Sequence, residues 1–242
     1  MASRFAVERL LGAGGQGRVF SVRDAARNGQ RVALKEADPG LISDLVREFG
    51  LLARLNHPHL VAVYDFFSTS PLEEGETGGG AAYTQEFVDG RDLWSVCRES
   101  DPGERELLFE QVFQALAYLH ALDVVHCDLK PENVMVEESG GLRARLLDFG
   151  IARQGAAGPT GIRGSKSYIA PEVLAGSSVT PEADLYALGV MMAEAWTGRT
   201  PRPEELSGEL READARRTYF LANGVPESWC GVVVALLAQS PS

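Results

Sequence analysis

His126-Cys127-Asp128-Leu129-Lys130-Pro131-Glu132-Asn133, followed across a short apolar strand pair by Asp148-Phe149-Gly150, is the stretch from which the rest of the chain is read. It gathers a carboxylate that can orient a hydroxyl, a lysine for an anionic group, an amide oxygen and, further on, a second carboxylate for a divalent cation. Those groups are what phosphoryl transfer requires, because its catalysis is mostly positioning and charge neutralisation. A polar turn whose side chains satisfy one another explains any three of these residues; it does not explain the ordered set.

Upstream, Gly12-Ala13-Gly14-Gly15-Gln16-Gly17-Arg18-Val19 fits the pattern GxGxxGxV, which puts glycines where main-chain amides approach phosphate oxygens with no Cβ in the way. Alone it is weak, since a glycine-rich hairpin needs no ligand. A dinucleotide-binding fold would place these glycines before a helix, whereas here a second strand follows. Val32-Ala33-Leu34-Lys35 then sets a lysine on a third strand, and Glu48 on the next helix can hold that ammonium in place.

Hydrophobic spacing divides the chain. Phe5 to Leu11, Val19 to Val22 and Arg31 to Glu36 read as three strands of an antiparallel meander, the third following the turn signal Asn28-Gly29. From Ile42 to Leu55, Leu45, Val46, Phe49, Leu52 and Leu55 recur at helical spacing behind the capping residue Ser43. Leu60 to Phe67 and Ala81 to Val88 are two more strands, on either side of the acidic, Gly-rich stretch Glu73 to Gly80. Past Gly90 the pattern becomes helical: Glu104 to Leu122 carries apolar residues at three and four, and Thr180-Pro181-Glu182 opens another helix as N-cap and N1 proline. Val134 to Val136 and Arg145 to Leu147 are short strands between them.

The 242 residues are 45% hydrophobic and 24% charged, enough for a real core in one domain or two small lobes. A net charge of −11 argues against a nucleic-acid or anionic-membrane surface. No long uncharged apolar run and no basic, apolar leader occurs, so a cytoplasmic location is expected. Cys97, Cys127 and Cys230 are widely separated, with no metal-ligand spacing or disulfide framework. His57 and His59, in the turn after the helix, read as structural, and His126 as packing and hydrogen-bonding; Trp94, Trp196 and Trp229 read as anchors in the core or on the lobe surface.

From the glycine loop through Gly164-Ser165-Lys166-Ser167-Tyr168-Ile169-Ala170-Pro171-Glu172 to Asp184-Leu185-Tyr186-Ala187-Leu188-Gly189, the chain resembles the eukaryotic-like (Hanks-type) serine/threonine protein kinase family. The stretches HPHLVAVYDFF, from His57, and TQEFVDGRDL, from Thr84, are similar to its bacterial members. The resemblance implies an α+β bilobal fold: an antiparallel five-stranded N-lobe with one helix over residues 1–88, and a mainly α-helical C-lobe over 89–242. It implies ATP and Mg²⁺, and protein substrates with Ser/Thr acceptors. Asp128 would be the catalytic base and Lys130 the γ-phosphate contact; Asn133 and Asp148 would bind Mg²⁺, and Lys35 with Glu48 would form the ion pair of the active state. The nucleotide would lie against Gly12, Gly14, Gly17, Val19, Ala33, Lys35, Glu86, Val88, Asp92 and Met135, with Gln85 as gatekeeper. Lysine two residues after the base resembles serine/threonine rather than tyrosine kinases, and Ser165 takes the place of the threonine that usually bridges base and lysine.

Two departures stand out. Cys127 replaces the arginine that usually precedes the catalytic aspartate, removing the cation that would pair with a phosphorylated activation loop at Thr160, Ser165 or Ser167. The family's arginine partner for Glu172, and its last helix, would lie beyond Ser242, so a further domain or partner covering Val232 to Leu237 is expected. Two other functions compete: a pseudokinase-like module that binds nucleotide or a partner with little transfer, against which the retained Lys35, Asp128, Asn133 and Asp148 stand, and a small-molecule kinase of the aminoglycoside type, which would not carry GSKSYIAPE.

Overall fold

Alternating apolar side chains build a five-stranded antiparallel sheet in the first part of the chain. In the computed structural model, residues 3–15, 17–72, 80–148, 153–154 and 166–238 are described. Most of the acidic stretch after Leu72, Gln16, Phe149-Gly150, Thr160, Ser165 and the last four residues lie outside them. The chain divides into two units, one running to Asp89 and the other beginning at Gly90.

In the first unit, β1 (Phe5–Gly14) and β2 (Gly17–Asp24) pair as a hairpin that closes on Gly14 opposite Gly17. The glycines are therefore strand ends and not a separate loop, and two irregularities, at Val7/Arg9 and Leu10/Gly12, bend β1. β3 (Gln30–Glu36) follows a 3-10 turn, with Asn28 and Gly29 both in the left-handed region. α1 (Ile42–Leu52), β4 (Val63–Phe67) and β5 (Ala82–Glu86) complete an antiparallel sheet of order β1-β2-β3-β5-β4. Helix α1 does not start at Ser43. Pro39–Leu41 forms a 3-10 turn that runs into the helix at Leu41, so no side-chain cap is needed, and the helix ends at Leu52, three residues earlier than its apolar spacing predicts. One sheet face buries Phe5, Phe20, Val22, Val32, Leu34, Leu72 and Ala82 together. On β3 the alternate residues Ala33 and Lys35 are equally buried on the other face.

The second unit opens with β6 (Arg91–Asp92), α2 (Leu93–Cys97) and α3 (Pro102–His120). Asp101 accepts from Glu104 N at 2.9 Å while the Glu104 carboxylate accepts from Asp101 N at 3.0 Å, a reciprocal cap that starts α3 two residues before its apolar pattern does. β7 (Val124–Val125), β8 (Val134–Glu137), β9 (Arg143–Leu146) and β10 (Arg153–Gln154) follow, with sheets ordered β6-β8-β9 and β10-β7. α4 (Pro171–Leu174), α5 (Pro181–Thr197), α6 (Pro203–Ser207), α7 (Ala213–Ala222) and α8 (Glu227–Leu236) complete it. α5 is buried almost all round. Its Trp196 stacks between Phe109 of α3 and Trp229 of α8, at 5.3 and 6.1 Å between ring centroids. Gly189 lets α8 close on α5: a Cβ there would lie 2.8 Å from Leu236 Cβ. Val233 and Leu237 are consequently fully buried, and Val232, Val234 and Leu236 half-buried, which leaves less apolar surface than the sequence leads one to expect. Buried Arg216 donates to Leu237 O at 2.5 Å, closing the end of this helix.

Candidate active site

The first unit holds the lysine and the glycines. Lys35 and Tyr83 oppose each other in register on β3 and β5, as do Ala33 and Gln85, which puts the four on one sheet face. α1 carries Glu48 to that face. Lys35 Nζ donates to Glu48 Oε1 at 2.8 Å and Tyr83 Oη donates to the same oxygen at 2.9 Å; both charged side chains are only 4% exposed. A buried carboxylate needs such paired, hydrogen-bonded company. No sequence pattern points to the Tyr83 contact, since only the strand register reveals it.

Gly17 has φ +121°, and a Cβ on it would sit 1.9 Å from the Glu36 carbonyl oxygen, so no other residue fits. At Gly12 and Gly14 a Cβ would meet nothing within 4 Å. Neither packing nor turn geometry calls for glycine at those two places, and open space above them fits close approach of a ligand to the main chain. Val88 is buried and Val19 and Glu86 are half-buried, while Glu86 N donates to Ala62 O at 2.8 Å and the Glu86 carboxylate accepts from Ala62 N at 3.3 Å.

The second unit holds the carboxylates. Asp128 Oδ2 accepts from Lys130 Nζ at 2.8 Å and from Asn133 Nδ2 at 3.1 Å, and Asn133 Nδ2 also reaches Asp128 O at 2.8 Å. Asn133 is fixed by a 3-10 turn, Pro131–Asn133, that leads straight into β8. Its amide nitrogen is spent on Asp128, so its carbonyl oxygen faces away as an acceptor. Asp148 closes the segment after β9 in the left-handed region at φ +58°. His126, fully buried, ties the two segments together: its Nε2 donates to Leu147 O at 2.9 Å, which leaves Nδ1 to accept from Asp128 N at 3.3 Å. Both ring nitrogens are engaged and the ring packs in the interior, as expected.

Cys127 has φ +70°, and its Sγ donates to Val125 O at 3.4 Å, a contact with the main chain in place of an arginine's reach. Its amide and that of His126 donate to Asp184. Asp92 and Met135 are register partners on β6 and β8, but Asp92 also caps α2, accepting from Ser95 N at 2.9 Å and Ser95 Oγ at 2.6 Å. In the segment resembling a peptide-binding floor, Tyr168 Oη donates to Glu194 at 2.5 Å, and burial first and Glu194 second push its hydroxyl pKa well up. Glu172 makes no ion pair among the described residues. Its charge, after burial, helps push the Tyr186 hydroxyl up to about 12.

For a cation, no cluster of three or more His, Cys, Asp or Glu exists among the described residues. Mg²⁺ does not need one. It is usually held by one or two carboxylates plus substrate phosphates and water, so the Asn133 carbonyl oxygen and the Asp148 carboxylate fit a cation that arrives with a nucleotide.

A protein kinase domain family model matches residues 5–228. The chain is 36% identical over 214 residues to serine/threonine-protein kinase pkn2 of Myxococcus xanthus, covering 82% of this chain and 25% of that protein. It is 35% identical over 216 residues to serine/threonine-protein kinase PknA of Mycobacterium tuberculosis, covering 83% and 48%. Against serine/threonine-protein kinase PkaA of Streptomyces coelicolor it is 35% identical over 225 residues, covering 83% and 40%. The chain thus spans between a quarter and a half of the length of these curated relatives. The ordered motifs, their geometry and the match over most of the chain converge on one statement: this chain belongs to the protein kinase domain family.

Proposed function

We propose that the chain is a serine/threonine protein kinase catalytic domain that transfers the γ-phosphate of ATP, with Mg²⁺, to Ser/Thr hydroxyls of protein substrates. The observation that carries this reading is the Asp128 carboxylate. One oxygen is held by Lys130 and Asn133, which orients the other, Oδ1, toward an acceptor hydroxyl whose proton it takes. Lys130 supplies positive charge beside that carboxylate for the transferring phosphoryl group. Lys35, steadied by Glu48, holds phosphate oxygens as a point charge. Asn133 and Asp148 are the cation's protein ligands, and bound Mg²⁺ neutralises phosphate charge. The first unit serves as the N-lobe and the second as the C-lobe; Gly12, Gly14, Gly17, Val19, Ala33, Val88 and the Glu86 main chain line the nucleotide's side of the former, Asp92 and Met135 that of the latter.

The names of the relatives support the serine/threonine class, as does lysine at position 130. The reading places the protein in the cytoplasm, where ATP is supplied. Incubating the purified chain with labelled ATP, Mg²⁺ and a generic protein acceptor, then identifying the labelled amino acid, tests the proposal. Phosphoserine or phosphothreonine is expected; label on tyrosine alone, or none on protein, would overturn it.

A further inference from the structure

Glu48 stands in the middle of the buried face of α1, between Leu45 and Leu52. At 11 residues, with no side-chain cap at its start, α1 is shorter than a helix that sustains itself in water, so it persists through what it packs against. Two hydrogen bonds from the sheet converge on one atom of that face. Lys35 Nζ from β3 and Tyr83 Oη from β5 both donate to Glu48 Oε1, at 2.8 and 2.9 Å, and the two donors are direct register partners on neighbouring strands. Tyr83 is 1% exposed, and its ring lies against Phe49 of α1 at 5.7 Å between centroids, while Phe49 meets Phe66 of β4 at 5.4 Å. One strand residue thus holds two consecutive helix residues, the first by its hydroxyl and the second by its ring.

The two donors differ in duty. In the kinase reading Lys35 also holds phosphate, and an ammonium shared between a carboxylate and a phosphate divides its hydrogen bonds between them. The Tyr83 hydroxyl has one proton, directed at Glu48, and no charge that draws it to phosphate. We infer that Tyr83 is a positioning residue: its hydroxyl is a second tether, independent of Lys35, that keeps α1 docked and Glu48 turned to the sheet whether or not Lys35 engages phosphate. The tether belongs to the first unit alone; its effect on turnover rests on the kinase reading above.

The full chain is compared with Tyr83→Phe, which keeps the ring and its packing and removes the hydroxyl, with Lys35→Met, and with the double variant. Amide hydrogen exchange over residues 45–52, thermal melting and steady-state kinetics are measured. Losing a hydrogen bond to a charged group should quicken exchange across α1 by about 10- to 100-fold in Tyr83→Phe, with the strand amides of β2 and β3 unaltered. Adding Tyr83→Phe to Lys35→Met should quicken it about 10-fold further, because the tether does not pass through the lysine. KM for ATP is expected to rise about threefold or more with kcat within about twofold, since an undocked α1 lowers the fraction of molecules competent to bind and saturating nucleotide restores it. An α1 exchange rate within twofold of wild type in Tyr83→Phe, an equal rise throughout the sheet, no further rise in the double variant, or an unchanged KM would each overturn the inference. Should the double variant not fold, Tyr83→Phe against wild type decides alone. If the wild-type chain transfers no phosphate the kinase reading fails, and exchange alone decides: unchanged protection of α1 in Tyr83→Phe refutes the tether, and protection lost from α1 but not from the sheet upholds it.

Discussion

Replacing Lys35 by Met separates the chemistry of the candidate site from its contribution to the fold. Met matches the length of the lysine stem, so packing changes little, but Glu48 is left 4% exposed with its cation gone and the Tyr83 hydroxyl still at its Oε1. Removing one partner of a buried ion pair costs about 3 to 5 kcal/mol, because the remaining charge is uncompensated. An ordinary glutamate at pH 7 can escape that penalty by taking up a proton, at about 3 to 4 kcal/mol, so the cost should saturate near that level. The retained Tyr83 bond moves it toward the lower end. A loss of about 3 kcal/mol is a large share of a typical domain's roughly 5 to 15 kcal/mol, and should be plain in urea unfolding monitored at constant slope. In Lys35→Met/Glu48→Gln the buried charge is gone, Gln still accepts from Tyr83, and most of the stability should return while turnover stays lost. A double variant as unstable as Lys35→Met would refute the assignment of the cost to an unpaired Glu48, and one with restored turnover would refute the role of Lys35 in holding phosphate.

Asp148→Ala should weaken binding of ATP with Mg²⁺ far more than binding of adenosine, because the carboxylate touches the cation and not the base; equal losses in calorimetry would indicate misfolding. Gly189→Val should destabilise by about 1 to 3 kcal/mol in chemical denaturation, since its branched side chain meets Leu236 and Leu237 at the close approach of α5 and α8, and an unchanged midpoint would contradict that packing. Glu8 is held down at about 2 by hydrogen bonds from Arg23, Arg31 and Ser21, below the ordinary 4.5. Its contribution is therefore present above about pH 4.5 and lost as pH falls toward 2, so Glu8→Gln should flatten the stability profile in that window and leave its shape above it unaltered.

Much of this architecture is legible because it obeys local rules. The period-two alternation of β3 identifies the strand that carries Lys35, and the motif around Asp128 names its own partners within five residues, Lys130 and Asn133. Element ends are harder. Ser43 has the chemistry of a cap, yet the 3-10 turn from Pro39 pre-forms the entry to α1 and leaves it nothing to do. Asp101 and Glu104 do cap α3, and their reciprocal spacing is visible in the sequence. What the sequence cannot show is contact across long separations: Tyr83 on Glu48, and Asp184 on His126, Cys127 and His120, are each set by tertiary packing. Nor does any pattern announce that Cys127 and Asp148 take left-handed backbone; local preference is overridden there, as it often is at functional sites.

The central claim is that Asp128 orients and deprotonates the acceptor hydroxyl, and phosphate transfer by Asp128→Asn tests it most directly. The substitution keeps the shape of the side chain and its contact with Asn133, so the melting temperature and nucleotide binding should stay close to wild type. Turnover on a protein acceptor should fall about 10²- to 10⁴-fold, the range for loss of a positioned acid–base group. Wild-type turnover in a folded, nucleotide-binding Asp128→Asn protein would contradict the account.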